Sequence, residues 1–410
     1  MVFWVSVALL AYAQLGYPLA LVALAGMVSA GRPAAPTERP AGPTERPAPT
    51  AGHPAASAQR TPASASAPHP AAATEPPTVS LIVAAHDEGA VIAAKVANAL
   101  ALEWPRERLE VVVCSDGSSD DTAARARDAG ADIVLALPRS GKVRAQDAGV
   151  AAARGELLAF SDANSSWEPA ALAALAGAFD DPRVGYACGQ MRFVQAAHGA
   201  GADNQEGLYW RYEMAIRARE SRLRSVTGGN GGIYALRRQA YLIVDERMGH
   251  DLSLPFNLVK RGWRAVYVPA ARASEKMVPS IDGEFARKRR MHSHAWPIVL
   301  RGGMLSPRGY GLTYGWMIAS HRVLRYAAPA LHVIALATNI ALVGQGPVYQ
   351  ACLAAQLAVL LAAAAAPAIR VRPLLLARYY VLMNAALAAG LWDYLRHGTP
   401  AGWEAPAGTR

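Results

Sequence analysis

Four apolar runs, one near the amino end of the chain and three near its carboxyl end, are long enough to cross a membrane. They are Val2–Met27, Tyr326–Val343, Val348–Ala366 and Leu374–Leu391. At about 1.5 Å of rise per residue, helices of this length approach the hydrocarbon thickness of about 30 Å. A composition with 52% hydrophobic residues agrees with membrane insertion. The sequence therefore predicts a membrane protein whose remaining residues fold between these helices.

The first apolar run has two interpretations. A secretory signal peptide carries positive charge before its apolar core, whereas this chain has no Lys or Arg before Val2–Met27. We therefore expect residues 1–30 to be a retained anchor. Residues 31–77 are rich in Ala, Pro, Thr and Ser. They lack the branched apolar side chains that a packed core needs, so they are predicted to be a disordered linker.

The distribution of basic residues predicts the orientation of the spans. Arg322 and Arg325 precede the span at 326–343, and Arg370 and Arg372 lie between the last two spans. Basic loops are retained on the cytoplasmic side of a membrane. This rule places a basic interfacial segment, 281–325, on the cytoplasmic side, followed by three helices within 326–392. The amino end and the tail 393–410 would then lie outside.

Residues 78–280 alternate strand-like and helix-like segments, which is typical of an α/β domain. The helical stretches lie between the strands, as expected for a mainly parallel sheet with helices on both faces. The predicted strands are Val79–Ala84, Leu109–Cys114, Asp132–Leu137, Leu157–Ser161, Val184–Cys188, Gly232–Ala235 and Ala265–Val268.

Two of these strands lead into the dipeptide Ser-Asp, which ends at Asp116 and at Asp162. Ligands of open α/β sheets bind outside the carboxyl ends of the strands. Two carboxylates at that edge favour a divalent cation and, with it, a phosphate-bearing substrate. Asn164, two residues after Asp162, adds an amide oxygen that can coordinate a metal without adding charge. The structural alternative for each loop is a turn that leads into the next helix.

Three other groups are candidates for chemistry. Asp251 precedes an amphipathic stretch, where it is either a helix cap or a general base for an attacking hydroxyl. Its neighbour His250 either assists it or lies at the surface. The basic run Arg287–Arg290 binds anionic lipid headgroups, a leaving diphosphate, or both. Lys142 is either a phosphate or sugar ligand or a solvated lysine.

The charge and cysteine content exclude other classes. The net charge of +10 has the sign that nucleic-acid binding requires, but no other feature supports such binding. The basic residues cluster beside the spans and lack interleaved aromatic residues, so nucleic acid is not an expected partner. The three cysteines, Cys114, Cys188 and Cys352, lack metal-ligand spacing.

Taken in order, these segments resemble the membrane-anchored, polysaccharide-synthase-like members of glycosyltransferase family 2, such as cellulose synthase and poly-N-acetylglucosamine synthase. The similarity extends from Val79 to the carboxyl end. It is carried by Val79–Glu88, Cys114–Thr122, Gly141–Gly149, Phe160–Asn164, Tyr209–Glu213, Val226–Arg237, His250-Asp251, Arg287–Met291 and Ser320–Arg325.

This resemblance implies a Rossmann-like nucleotide-sugar-binding domain of the GT-A type, with transmembrane helices at both ends. It implies an inverting transfer of a sugar from a nucleotide-diphosphate donor, most commonly a UDP-sugar, to a hydroxyl of a glycan or lipid-linked acceptor. Asp251 would be the catalytic base, and Asp162 with Asn164 would bind Mg²⁺ or Mn²⁺. The nucleotide contacts would come from Glu88, Asp116, Lys142 and Arg290.

The resemblance also implies cell-surface or extracellular polysaccharide synthesis at a bacterial inner membrane, with the catalytic domain in the cytoplasm. Membrane lipids and other polysaccharide synthesis or export proteins are the expected partners. His250 replaces an acidic residue of the family pattern, and Arg287 and Met291 replace the Gln and Trp of Q-x-x-R-W. These departures leave a catalytically silent membrane scaffold of an export complex as the alternative function.

Overall fold

The fold is described by a computed structural model for residues 1–30, 75–194, 203–276, 281–369 and 371–399. Most of the linker predicted at 31–77 and the end of the tail predicted at 393–410 lie outside these residues. Within them, eight strands form one sheet in the order β3-β2-β1-β4-β7-β6-β8-β5. The strands are β1 Val79–Ala85, β2 Leu109–Asp116, β3 Ile133–Leu137, β4 Leu157–Asp162, β5 Ser166–Trp167, β6 Val184–Val194, β7 Tyr234–Arg237 and β8 Arg264–Lys276.

The α-helices of the described residues fall into an amino-terminal pair, a set around the sheet and a carboxyl-terminal set. They are α1 Val2–Ala11, α2 Tyr17–Ala30, α3 Ile92–Leu100, α4 Thr122–Asp128, α5 Lys142–Ala152, α6 Ala171–Gly177, α7 Asp203–Leu223, α8 His250–Lys260, α9 Ile281–Leu300, α10 Gly311–Met317, α11 Leu324–Leu342, α12 Pro347–Ala365 and α13 Arg372–His397.

The sheet is mixed, and its strand direction changes at β7. β1 pairs in parallel with β2 and β4, and β2 with β3, whereas β7 runs antiparallel to both β4 and β6. β6 and β8 are again parallel, and the two-residue β5 joins the edge in the antiparallel direction. The predicted α/β class is confirmed. The prediction of a mainly parallel sheet is wrong for the half of the sheet formed by β7, β6, β8 and β5. Strand patterns carry no direction, and β5 is too short to show a two-residue period.

Helices cover both faces of the sheet. Side chains alternate along β1, so Leu81 and Val83 face one way while Ile82 and Ala84 face the other. The first face packs against α3, α4 and α6, and the second against α5, α7 and α8. Because both faces are covered, every residue of β1 is buried.

Among the described residues, four helices are long and apolar enough to cross a membrane: Val2–Met27, Gly311–Gln345, Pro347–Ala365 and Arg372–His397. The second, here called the 311–345 helix, begins well before the predicted start at Tyr326. It therefore contains Arg322 and Arg325, which were expected to precede it. One of these charges is paired with a carboxylate on α7: Glu213 accepts a hydrogen bond of 2.6 Å from Arg325.

Contacts at both ends of the chain attach the candidate membrane helices to the rest of the protein. Tyr17 and Leu21 of α2 are fully buried in the same hydrophobic core as the sheet. At the other end of the chain, α9 packs along α13, where Trp296 Nε1 donates to the carbonyl O of Leu387 at 3.1 Å. A side chain at Gly390 would collide with the backbone of α9, so glycine permits this close approach. The basic run on α9 is thereby fixed against the last apolar helix.

Candidate active site

The two Ser-Asp strand ends lie at one edge of the sheet, on either side of β1. Ala84 of β1 pairs with Asp162, and Ala85 pairs with Ser115, the residue before Asp116. Neighbouring strands are about 4.8 Å apart, so the two aspartates are separated by roughly 10 Å. The structure brings both to the edge that the sequence predicts, but their surroundings differ.

Asp116 is fully buried and holds the loop before α5. Its carboxylate accepts hydrogen bonds from the N–H groups of Ser140 at 2.6 Å and Gly141 at 3.0 Å. Glu88 is also buried. Its loop joins that of Asp116, because Nδ1 of His86 lies 2.8 Å from the carbonyl O of Asp116. Glu88 and Asp116 thus lie in adjoining loops at one edge of the sheet, a region here called the polar corner.

Lys142 begins α5 and forms an ion pair with Asp162. The preceding Gly141 has a φ of 98°, a conformation that glycine adopts without strain and that turns the chain into the helix. Burial alone would lower the pKa of Lys142, but the carboxylates of Asp162, Asp251 and Glu275 raise it. Lys142 therefore remains a cation among three acidic side chains.

Asp251 lies in the first turn of α8, beside this cluster. The helix is capped at Gly249, so Asp251 is inside the helix and its interpretation as the cap is wrong. The N–H of Gly229 donates to the carbonyl O of Asp251 at 2.6 Å. Burial raises the pKa of the Asp251 carboxyl, Lys142 lowers it, and Asp162 raises it again. A carboxyl group with a raised pKa in such a cluster is a candidate proton acceptor.

His250 points into the core, so the expectation of a surface position is wrong. Its side chain is 3% exposed, and Nδ1 lies 2.9 Å from the hydroxyl of Tyr234. The rings of Phe160 and Tyr241 meet the imidazole edge-on, with centroids 5.7 Å away. Burial lowers the pKa of His250 to about 3, so the ring is neutral. His250 is a packing residue next to Asp251.

Two residues that the sequence did not single out converge on the loop after Asp162. Glu275, near the end of β8, accepts a hydrogen bond from the hydroxyl of Ser165, and burial together with Asp162 raises its pKa. Lys95 of α3 donates to the carbonyl O of Ser165 at 2.8 Å, and burial lowers its pKa to about 7. A lysine on the apolar face of α3 was an available signal. Glu275 had none, because the predicted strand ended at Val268.

Asn164 and Arg290 are both half-buried. Asn164 lies in the turn that closes when the N–H of Ser165 donates to the carbonyl O of Asp162 at 3.2 Å. Its amide therefore stands directly beside the predicted metal ligand in the chain. Arg290 lies on α9, in the basic run.

The basic run influences the cluster through Arg287, one turn before Arg290. The charge of Arg287 lowers the pKa of Glu275. The same guanidinium is paired with Glu284 at 2.7 Å. Arg287 is thus a second candidate, besides Arg290, for positive charge near a bound diphosphate.

The residues of this cluster suit a metal ion that takes further ligands from a substrate. Among the described residues, no three His, Cys, Asp or Glu side chains form a ready metal site. The ion pair of Lys142 with Asp162 indicates a place where positive charge is stabilised. Asp162 and Asn164 would supply hard oxygen ligands, the kind that Mg²⁺ prefers alongside substrate phosphates.

Known proteins match the central part of the chain. Residues 80–243 match the family model described as Glycosyl transferase family 2. The chain is 27% identical over 230 residues to an N-acetylglucosaminyltransferase of Rhizobium leguminosarum bv. viciae, covering 52% of this chain and 54% of that protein. It is 26% identical over 213 residues to a probable glycosyltransferase of Bacillus subtilis, covering 48% and 50%. The chain thus spans about half the length of the curated relatives that it matches.

The fold as a whole is similar to that of a mannosyltransferase from Pyrobaculum calidifontis, solved in complex with GDP-Man and Mn²⁺. The TM-score is 0.64 and the identity 21%, over 97% of this chain and 99% of that chain. The similarity confirms the GT-A fold expected from the sequence. Apolar helices at both ends remain candidate membrane spans.

Proposed function

We propose that this chain, which carries a glycosyltransferase family 2 domain at residues 80–243, transfers a sugar from a nucleotide-diphosphate donor to an acceptor hydroxyl with inversion of configuration. The observation that supports this most is the cluster of Asp162, Lys142 and Asp251 at the carboxyl edge of the sheet. It combines a candidate metal ligand, a cation and a carboxyl group with a raised pKa. Donor activation and acceptor deprotonation need these three components.

On the donor side, Asp162 would bind Mg²⁺ or Mn²⁺, with Asn164 and the newly found Glu275 as further oxygen ligands. When bound, such an ion neutralises the charge that grows on the leaving diphosphate. The Mn²⁺ in the mannosyltransferase complex supports a divalent ion. Lys142 and Arg290 would contact the phosphates and add fixed positive charge at the leaving group.

The nucleoside would bind at the polar corner of Glu88 and Asp116. Asp116 now accepts hydrogen bonds from the backbone N–H groups of Ser140 and Gly141. These are donors of the same kind as the imide N–H of a uracil ring. The imide N–H of a bound uracil would replace the N–H groups of Ser140 and Gly141 as the donor to Asp116. The loop that is displaced leads directly into Lys142. A UDP-sugar is therefore the first donor to test, and GDP-mannose, the ligand of the mannosyltransferase, is the second.

On the acceptor side, Asp251 would remove the proton of the attacking hydroxyl. The acceptor oxygen forms its bond to the anomeric carbon on one face while the bond to the diphosphate oxygen breaks on the other. The diphosphate leaves with the electron pair, and the configuration at that carbon is inverted. A raised pKa makes Asp251 a stronger proton acceptor than an exposed aspartate would be.

The acceptor would be a glycan or a lipid-linked sugar at the cytoplasmic face of a bacterial inner membrane. The four candidate spans would hold the domain at a bilayer. The basic run on α9 packs against α13, which would bring it near anionic headgroups. The product would enter cell-surface or extracellular polysaccharide synthesis, with other synthesis or export proteins as partners.

A donor screen with the full chain in detergent tests the proposal. UDP-N-acetylglucosamine, UDP-glucose and GDP-mannose are each offered with Mg²⁺, with Mn²⁺ or with EDTA, and the released nucleoside diphosphate is measured. We expect release from at least one donor and its loss in EDTA. NMR then determines the anomeric configuration of the product, and retention would overturn the single displacement. No release from any donor would support the silent membrane scaffold instead.

A further inference from the structure

A buried network of polar side chains joins the catalytic domain to the membrane helices. Its centre is Glu220 of α7, which is fully buried. The carboxylate accepts a hydrogen bond of 2.6 Å from the hydroxyl of Tyr17 on α2, and it lies 2.7 Å from Nδ1 of His321 in the 311–345 helix. It also accepts from the N–H of Thr227 at 3.1 Å and from its hydroxyl at 3.0 Å. One carboxylate therefore binds two candidate membrane helices and a loop of the catalytic domain.

Arg322, next to His321, extends this network to a glycine-rich loop formed by Thr227–Gly231. Its Nε donates to Oγ1 of Thr227 at 2.9 Å. The guanidinium also packs against the backbone of Gly228, where a Cβ atom would come within 2.5 Å of Nη2. Arg322 is only 9% exposed, so water does not compete strongly for these contacts. A side chain of a membrane helix thus fixes the start of the loop.

The other part of the same loop reaches the candidate active site. Gly229 donates its N–H to the carbonyl O of Asp251 at 2.6 Å. A Cβ atom at Gly231 would lie 3.9 Å from Nζ of Lys142 and 4.0 Å from Oδ2 of Asp162. The loop therefore holds the first turn of α8 and faces the Lys142–Asp162 ion pair.

We infer that Arg322 and Thr227 are positioning residues, which hold Asp251 in place for proton transfer by way of the loop Thr227–Gly231. The inference rests on the proposed function, since it takes Asp251 as the base. Glycine-rich backbone has many accessible conformations, so side-chain contacts decide the shape of this loop. Thr227 is held by Glu220 and Arg322, and Asn230 accepts from Arg217 and donates to the carbonyl O of Gly189. A shift of about 1 Å at a reacting group costs on the order of 100-fold in rate. The 311–345 helix is thereby a structural support of the base.

A matched pair of variants tests this role in the full chain in detergent. Thr227→Val keeps the shape of the side chain and loses the hydroxyl, whereas Thr227→Ser keeps the hydroxyl. The readouts are kcat and donor KM for nucleoside diphosphate release from the donor that the wild type uses among UDP-N-acetylglucosamine, UDP-glucose and GDP-mannose. We expect Thr227→Val to lower kcat about 10- to 100-fold while donor KM stays within about threefold. Thr227→Ser should stay within about threefold of the wild type in both.

Two further variants complete the test. Arg322→Lys keeps the charge but loses the Nε–H donor, so it should behave like Thr227→Val. It also decides the question if Thr227→Val fails to fold, as judged by thermal unfolding. Val333→Ala lies on the exposed side of the same helix and should match the wild type.

The possible results distinguish a failure of the positioning role from a failure of the proposed function. Folded Thr227→Val and Arg322→Lys proteins with wild-type kcat would overturn the positioning role. A rise in donor KM that accounts for the whole loss of kcat/KM would overturn it too, because the damage would then lie in donor binding. A wild-type chain without nucleoside diphosphate release from any donor would instead refute the proposed function, and the inference with it.

Discussion

The hydroxyl of Tyr234 lies 2.9 Å from Nδ1 of His250, and the same hydroxyl is 3.2 Å from the amide nitrogen of Gln146. The amide nitrogen can only donate, so the phenol accepts from Gln146 and donates its own proton to the imidazole. This pairing gives the buried imidazole a hydrogen-bond donor at Nδ1. It also explains how the chain accommodates a neutral residue where the family pattern has an acid.

The first prediction concerns His250. Because burial holds its pKa at about 3, its replacement removes no charge between about pH 5 and 8. His250→Gln should leave the midpoint of the acidic limb of the pH–rate profile unchanged. It should also lower the free energy of unfolding by about 1–3 kcal/mol, because a buried hydrogen bond is lost. A pH–rate series and thermal unfolding measure the two effects, and a displaced midpoint would show that His250 takes part in proton transfer.

The second prediction separates the base from the metal ligand. Asp251→Asn should lower the transfer rate about 10²- to 10⁴-fold, while the binding of UDP or GDP with Mn²⁺ persists. Asp162→Asn should weaken that binding, because a charged oxygen ligand is lost. Isothermal titration and rate measurements on both variants test the contrast. The exposed Asp245→Asn is the control, and a fully active, folded Asp251→Asn protein would refute the assignment of the base.

The third prediction follows from the charge of Lys142. Asp251 acts in its deprotonated form, and the ammonium group of Lys142 lowers its pKa. Removal of that charge in Lys142→Met raises the pKa of Asp251, so a higher pH is needed to deprotonate it. The acidic limb of the pH–rate profile should therefore move to higher pH. Arg144→Met, on the exposed side of the same helix, should leave the midpoint in place. A midpoint that moves to lower pH in Lys142→Met would contradict this sign.

The fourth prediction compares two stacked tyrosines, Tyr186 and Tyr234, whose ring centroids are 5.6 Å apart. The buried hydroxyl of Tyr186 has no hydrogen-bond partner within the residues that the structure describes, whereas that of Tyr234 is bonded to His250. A buried hydroxyl without a partner costs about 1–3 kcal/mol. Tyr186→Phe should therefore raise the melting temperature, and Tyr234→Phe should lower it. Thermal unfolding of both variants in detergent provides the comparison, and equal losses would be inconsistent with it.

The first half of the sheet was predictable because β1, β2 and β4 are buried on both faces and appear as continuous apolar runs. Their aspartate ends follow from the same runs. The second half was not predictable in detail, since β7 has four residues and its direction is set by distant pairings such as Tyr186 with Leu236. No local pattern encodes such a pairing.

The candidate site divides in the same way. Asp162, Lys142 and Asp251 stand in recognisable motifs, and the structure brings them together. Glu275 and Lys95 are linked to the site only by their contacts with Ser165, and these contacts depend on tertiary packing. The charges inside the 311–345 helix were misplaced for a related reason. A charge in a membrane span is costly without a partner, and Glu213, the partner of Arg325, is 112 positions away in the chain.

The contact between the two ends of the chain sets the timing of its assembly. The hydrogen bond from Trp316 to Tyr12 joins positions 304 residues apart, and Tyr17 meets His321 at Glu220 across a similar interval. At about 5–20 residues per second, the ribosome needs roughly 15–60 s to bridge that interval. Until then Glu220 lacks His321, and the loop at Thr227 lacks Arg322. A nascent or truncated chain that ends before Gly311 would therefore contain every proposed catalytic residue. It would lack Arg322, so the base would not yet be supported. Full activity would begin only once translation has passed the 311–345 helix.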